Sequence, residues 1–357
     1  MTARTMPARP DEDDAAVRPL PWRRMAGVTW RQHRITLAAV AVLLGGLAVW
    51  LWTAGLPLHH ASAAAAACHP ASSPACQNLT GTFDASATSS VMGNKGAGGV
   101  LLQLVPALIG AFAGAPVLAR ELEAGTFRYA WTQGFGRWRW ALAKLVALAV
   151  VLAAATAAFG FLVSWYFQPY SATGHQAPGL FQDSPFDNLF SLREVTFPAW
   201  TLAAFAIGAL AGMLIRKVVP AIVATLAVYA GLALVTAGFL REHYLAPLVT
   251  SSVNFNLPGA GTAWTIGQWS TKSGRFAFAG NPPESLVNQF CSSLPPEKAA
   301  GPTGFAQCLA QHGYTQWTSY QPASRFWPFQ WIEGGWLLAL SVLLIAVTIW
   351  LVGRRAT

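Results

Sequence analysis

Apolar residues in this chain fall in blocks of similar size separated by polar stretches. Six of them qualify as bilayer segments: Ile35–Ala54, Val100–Ala119, Ala141–Phe167, Pro198–Ile215, Val218–Leu240 and Gly334–Val352. At about 20 residues each, they can cross roughly 30 Å of hydrocarbon as helices. None has an ionisable residue near its middle. Arg120, Lys144, Arg216, Lys217 and Glu333 stand at the ends, where Trp50, Trp52, Trp165, Tyr166, Trp200 and Trp336 also collect as interfacial anchors do. The pattern predicts an all-α integral membrane protein with six transmembrane helices. Ion-driven carriers usually place carboxylates, histidines or broken helices at mid-membrane. With uncharged span centres, uphill movement would need energy from another polypeptide.

The segments between the blocks differ in character. Residues 1–20, with the acidic run Asp11–Asp14, read as a solvated, disordered cytoplasmic tail. From 21 to 34, Trp22, Arg23, Arg24, Trp30, Arg31 and Arg34 predict an amphipathic helix lying in the interface before span one. Stretch 55–99 is Ala/Ser/Gly-rich and reads as a flexible loop. Stretch 168–197 is rich in Pro, Gly and Phe and has no catalytic cluster. Segment 241–333 carries Trp264, Trp269, Trp317, Trp327 and Trp331 with two cysteines, and predicts a small extracytoplasmic cap between spans five and six. Residues 334–357 are the sixth span and a short tail.

Composition supports the membrane reading: 54% of the 357 residues are hydrophobic and 10% charged, against about 25% charged in soluble domains. A net charge of +9 raises nucleic acid as a partner, but its distribution argues otherwise. With the N-terminus inside, the cytoplasmic segments hold 16 Lys/Arg and the outer segments 7. The positive-inside rule then puts both termini in the cytoplasm of a multi-pass plasma-membrane protein. Cys68, Cys76, Cys291 and Cys308 all fall on the outer side. Pairing in an oxidising compartment predicts disulfides Cys68–Cys76 and Cys291–Cys308, although four cysteines allow three connectivities.

Familiar chemistry is missing. The sequence has no GK[ST], HExxH, GxSxG or CxxC, so it encodes no P-loop and none of those catalytic motifs. His59, His60 and His69 cluster outside without carboxylate partners, and loop histidines of that kind are seldom a metal site. No catalytic residue, metal ligand or cofactor is expected in this chain. The local candidates for a membrane-embedded enzyme acting on lipid or peptide are Glu242, His243 and Glu333. A non-transporting sensor or assembly factor using the cap is a further alternative.

One inner loop is long enough to receive a partner. After Arg120, Glu121 and Glu123, a stop at Gly125 leads into Thr126, Phe127, Tyr129, Trp131, Thr132 and Gln133. Large apolar side chains rimmed by charge and held outside the lipid suit protein docking. The collar Arg137–Trp140 instead reads as an interfacial anchor.

These residues carry a resemblance. TWRQHR (29–34), GAPVLARELEAGTFRYAWTQGFGRWRW (114–140) and YQPASRFWPFQWIE (320–333) resemble the membrane permeases of type-2 ABC exporters, most of all an actinobacterial, Streptomyces-like set. The resemblance covers about 22–355. It implies a half-transporter that dimerises, with a second copy or with a related permease, and docks separate ATPase subunits, which would bind ATP and Mg²⁺. It also implies a coupling helix at roughly Glu121–Gln133 and a connecting helix at Pro21–Arg34. Apolar span interiors favour a hydrophobic or amphipathic cargo, and the resemblance implies that it is moved outward. The long 241–333 segment departs from the family's short hairpin. Gly110-xxx-Gly114 and Gly208-xxx-Gly212 predict close helix contacts, within one protomer or between two.

Overall fold

The structure is a computed structural model that describes residues 22–70, 73–89, 98–125, 137–173, 190–252, 263–280, 282–291 and 308–354. The expected tail 1–20 lies outside the described residues. Among the described residues, six helices are long and apolar enough to cross a membrane: Thr29–Ala67, Leu101–Glu123, Trp138–Pro169, Thr196–Ile215, Val218–His243 and Ala323–Arg354. They are called spans one to six below. Each contains most or all of its expected block, and spans one and six are longer than expected. The chain is therefore a multi-pass membrane protein with a helical membrane region.

Span one and the expected connecting helix are not separate. A single helix of 46 residues runs from Trp22 to Ala67 without a break at Arg34. The flexible loop expected at 55–99 is also partly helical. Its Ala61–Ala67 stretch continues span one, and a second helix follows at Pro74–Ser89. Alanine is the strongest helix former, and the Cys68–Cys76 disulfide staples the turn between the two helices.

Span one buries Leu37, Leu44, Leu51 and Leu58, seven residues apart, and exposes Ile35, Val42 and Val49. Span three buries Ala141, Leu145, Leu148, Leu152, Phe159, Val163 and Tyr166, a run of mostly alternating three- and four-residue steps. These two stripes meet, as expected for near-parallel helices packed through a heptad seam. Farther along the two helices, Trp165 stacks on Trp52 at 4.5 Å and on His59 at 4.2 Å between ring centroids. His59 also bonds the Trp165 carbonyl, so it serves this joint. No group of three metal-ligating side chains occurs among the described residues.

Span four is the hub. Its residues pack on spans two, three, five and six, and 14 of its 20 residues are buried. The two glycine motifs explain how span two approaches so closely: they face each other within one chain. A Cβ on Gly208 would lie 2.4 Å from the Gly110 carbonyl oxygen, and one on Gly212 would lie 2.4 Å from the Ala115 carbonyl oxygen. Span two widens to a π-helical turn at Gly110–Gly114, closed by the Ala115 N–H on the Gly110 carbonyl at 3.0 Å.

The segment between spans five and six carries a sheet that the sequence reading did not resolve. Strands β1 (Leu248–Ser252), β2 (Trp264–Lys272), β3 (Arg275–Ala279) and β4 (Tyr314–Gln321) form an antiparallel sheet in the order β1-β4-β2-β3. Ser273 and Gly274 join β2 to β3 with φ of 52° and 78°, the two left-handed residues that a tight hairpin requires. At one end of the sheet, Trp264 meets Phe329 of span six, and Gln321 donates to the Leu245 carbonyl at 2.8 Å. Lys272, paired with Tyr314, is eight residues along β2 from Trp264, about 26 Å away at strand rise. There Cys291, Cys308, Leu309 and Tyr314 form a small core with Phe290, closed by the Cys291–Cys308 disulfide. Replacing both of these cysteines by serine is expected to remove about 3 kcal/mol from this small core, the cost of opening a loop of this length. Limited proteolysis checks it: cleavage should concentrate in 263–321 while the six spans stay intact.

Candidate functional site

Two polar clusters tie the spans together, one at each end of span five. The first surrounds the end of span two, whose last turn is the helix Pro116–Glu123. Val117, Leu118 and Ala119 are buried, so the polar residues that follow project from a fixed base. Glu121 pairs with Lys144 of span three at 2.5 Å. Lys144 is almost fully buried, and its ammonium also lies 5.0 Å from the centre of the Trp140 ring. Glu123 turns the other way, and its Oε2 accepts the Val218 N–H at 3.0 Å. Span five has no side-chain cap of its own. Glu123 supplies the missing acceptor and a negative charge beside the positive end of the helix dipole. Gly125, at φ +68°, ends the helix in the left-handed conformation.

The expected docking residues are thus divided. Glu121, Glu123 and Gly125 are placed as above. Thr126, Phe127, Tyr129, Trp131, Thr132 and Gln133 lie outside the described residues. In the long first helix, Trp30 is 59% exposed and Arg31 and Arg34 are exposed. Trp22, Arg23 and Arg24 belong to the helix, but their side chains lie outside the described set.

The second cluster closes the opposite end. Glu333 of span six is fully buried and receives two bonds from Arg241, Nε to Oε2 and Nη2 to Oε1, both at 2.9 Å. Trp200 of span four donates its indole N–H to Glu333 Oε1, also at 2.9 Å. Trp336 donates to the Tyr244 hydroxyl at 2.9 Å, and that hydroxyl sits 3.4 Å from Glu333 Oε2. Burial and the Glu333 carboxylate push the Tyr244 phenol upward, so it remains a neutral hydroxyl. The Arg241 guanidinium lies 4.7 Å from the centre of the Phe190 ring. Gln330, also fully buried, donates to the Phe190 carbonyl at 3.0 Å and accepts the Thr196 N–H at 3.1 Å. Span five delivers Arg241 through a π-helical turn, Thr236–Leu240, followed by a 3-10 turn, Arg241–His243.

This geometry separates the residues considered for a membrane enzyme. Glu333 faces Arg241 and Trp200, while His243 Nδ1 contacts the Phe239 carbonyl of its own helix at 2.7 Å. A carboxylate held by a bidentate guanidinium and an indole is a structural anion, with its lone pairs directed at fixed donors. Sequence reading recorded Glu333 as a span-end charge and did not single out Arg241. Their opposite signs at the adjoining ends of consecutive spans were the available signal for the pair. Trp200 had been read only as an interfacial anchor.

Residues 38–241 match the family described as ABC-2 membrane transporter related. The chain belongs to that family. The match takes in spans two to four whole, most of span one, nearly all of span five, and both Glu121 and Glu123; it ends at Arg241, where the segment carrying the sheet begins. No curated protein and no solved structure matches the chain. An ABC-2 permease-related chain is a membrane component of a transporter and is not itself the catalytic subunit. Such permeases normally work with ABC ATPase subunits.

Proposed function

We propose that this ABC-2 permease-related chain is the membrane half of an ATP-driven exporter. Two copies assemble with two separately encoded ATPases and move a hydrophobic or amphipathic cargo outward. Both termini and the 121–133 loop face the cytoplasm, and the 241–333 sheet forms a cap on the outer side. The observation that carries this reading is the pair of ties at the base of the loop. Glu121 fastens the span-two end to span three, and Glu123 fastens it to the first N–H of span five. A push on the loop therefore reaches three spans directly. Span five is an effective lever: it is held at one end by Glu123 and at the other by Arg241–Glu333. Between these ends, among the described residues, it buries only Ala221, Thr225 and Thr236. The family's usual requirement for an ATPase and the absence of a P-loop from this chain support the same division of labour.

Two measurements test the proposal. In the purified complex, Glu123→Ala, Glu121→Ala and Trp131→Ala should each lower cargo-stimulated ATP hydrolysis roughly five- to ten-fold without loss of assembly, the usual size of an inter-site coupling. In intact cells, Gln133→Cys should resist a membrane-impermeant thiol reagent until the membrane is opened. Labelling of that residue from outside, or normal coupling in all three variants, removes the assignment.

A further inference from the structure

Spans four, five and six enclose a cleft of about 350 Å³, within the range of small-molecule sites. Its walls include Ile207 and Leu214 from span four, Ala224, Val228 and Leu232 from span five, and Leu344 from span six, and every lining residue is aliphatic. Along span four it extends from Ile207 to Ile215, about 12 Å at helical rise. Its two ends differ. At one, Leu232 packs into the cluster of Trp200 and Leu337, next to the Glu333 clamp. At the other, Leu214 and Ile215 are followed at once by Arg216 and Lys217, both exposed. Neither cation makes an ion pair among the described residues. The acid that reaches this corner, Glu123, is bonded to the Val218 N–H. Arg216, at φ 59°, turns the chain sharply between the two spans.

We infer that this cleft holds one acyl chain of an anionic lipid, with the headgroup on Arg216 and Lys217. An aliphatic slot that ends at two unpaired cations is complementary to an amphiphile with a negative head. A zwitterionic headgroup offers two neighbouring cations no net charge, whereas basic pockets between spans bind anionic heads. On the orientation proposed above, the lipid belongs to the cytoplasmic leaflet. The site itself follows from the packing of the spans and stands whichever way the chain faces.

The test uses the purified full-length chain in nanodiscs without any ATPase, so a failure of the transport reading leaves it unaffected. The probes are phosphatidylglycerol and phosphatidylcholine carrying the same photoreactive acyl chain. Crosslinks from phosphatidylglycerol should concentrate on peptides containing Ile207–Ile215 and Ala224–Leu232. They should exceed those on the exposed Val42–Val49 face of span one, and those from phosphatidylcholine, by about fivefold or more. Ala224→Phe, which fills the slot, should abolish the excess. Arg216→Gln with Lys217→Gln should remove the headgroup preference; both positions are exposed, so packing is spared. Equal labelling of all exposed faces means ordinary surrounding lipid and overturns the site, as does equal use of the two headgroups. Disulfide-linked dimers of a Leu214→Cys variant in native membranes would put protein in the cleft and also overturn it.

Discussion

Glu333→Ala should be among the most destabilising single substitutions in the chain, at about 3–5 kcal/mol, because it leaves a buried guanidinium without its counter-ion. Arg241 is 6% exposed, and both of its bonds run to the one carboxylate that Trp200 also uses. Removing that carboxylate takes the acceptor from four donors at once, on Trp200, Arg241 (two) and Tyr244. Glu333→Gln should cost less, since its amide oxygen still accepts one bond. Replacing both charges, as Arg241→Met with Glu333→Leu, should recover much of the loss: a buried ion pair is expensive to assemble, and apolar substitutes of similar volume often match it. Thermal unfolding of the purified protein in one detergent compares the four chains directly. If Glu333→Ala unfolds with the wild-type protein, the cluster is not a clamp.

The clamp and the sheet were the parts least legible from sequence. Hydropathy locates a span by the average of about 20 residues, so it found all six blocks. It passed over single buried charges near a span end, where Glu333 looks like any other boundary residue. Span six proved to start well before Gly334, which moved Glu333 from the water boundary to a position inside the helix. The strands had a readable signal in part. Tyr314–Gln321, with the sequence YTQWTSYQ, is rich in Tyr, Thr and Trp and has a burial pattern that mostly alternates, as a half-buried strand does. Its meaning was hidden because β4 pairs with β1 and β2, far away along the chain. Short-range features transferred better: the two local cysteine pairs are disulfides. The glycine spacing also marked the close contact. Spacing alone does not say whether the two motifs face each other or a second protomer; the approach of Gly208 to the Gly110 carbonyl does.

That glycine contact yields the sharper test of packing, because the chain carries its own controls. Gly208→Ala adds one methyl group, whose carbon would sit 2.4 Å from the Gly110 oxygen, 2.7 Å from the Ala115 nitrogen and 3.0 Å from the Gly114 carbonyl carbon. All three are backbone atoms, two of them in the π-helical turn of span two, so no side chain can rotate away. Spans two and four must separate, and span four cannot move alone because spans three, five and six pack on it as well. Overpacking of this kind typically costs about 1–3 kcal/mol. Gly208→Leu should go further and prevent accumulation of folded protein. Gly231→Ala, in span five with nothing within 4 Å of the added carbon, should be neutral or stabilising by up to about 1 kcal/mol, the helix preference of alanine over glycine. The same chemical change therefore has opposite expected signs at two membrane glycines. Equal unfolding temperatures for Gly208→Ala and Gly231→Ala would mean that spans two and four do not meet through these backbones. The hub on which the coupling base and the clamp both rest would then have to be redrawn.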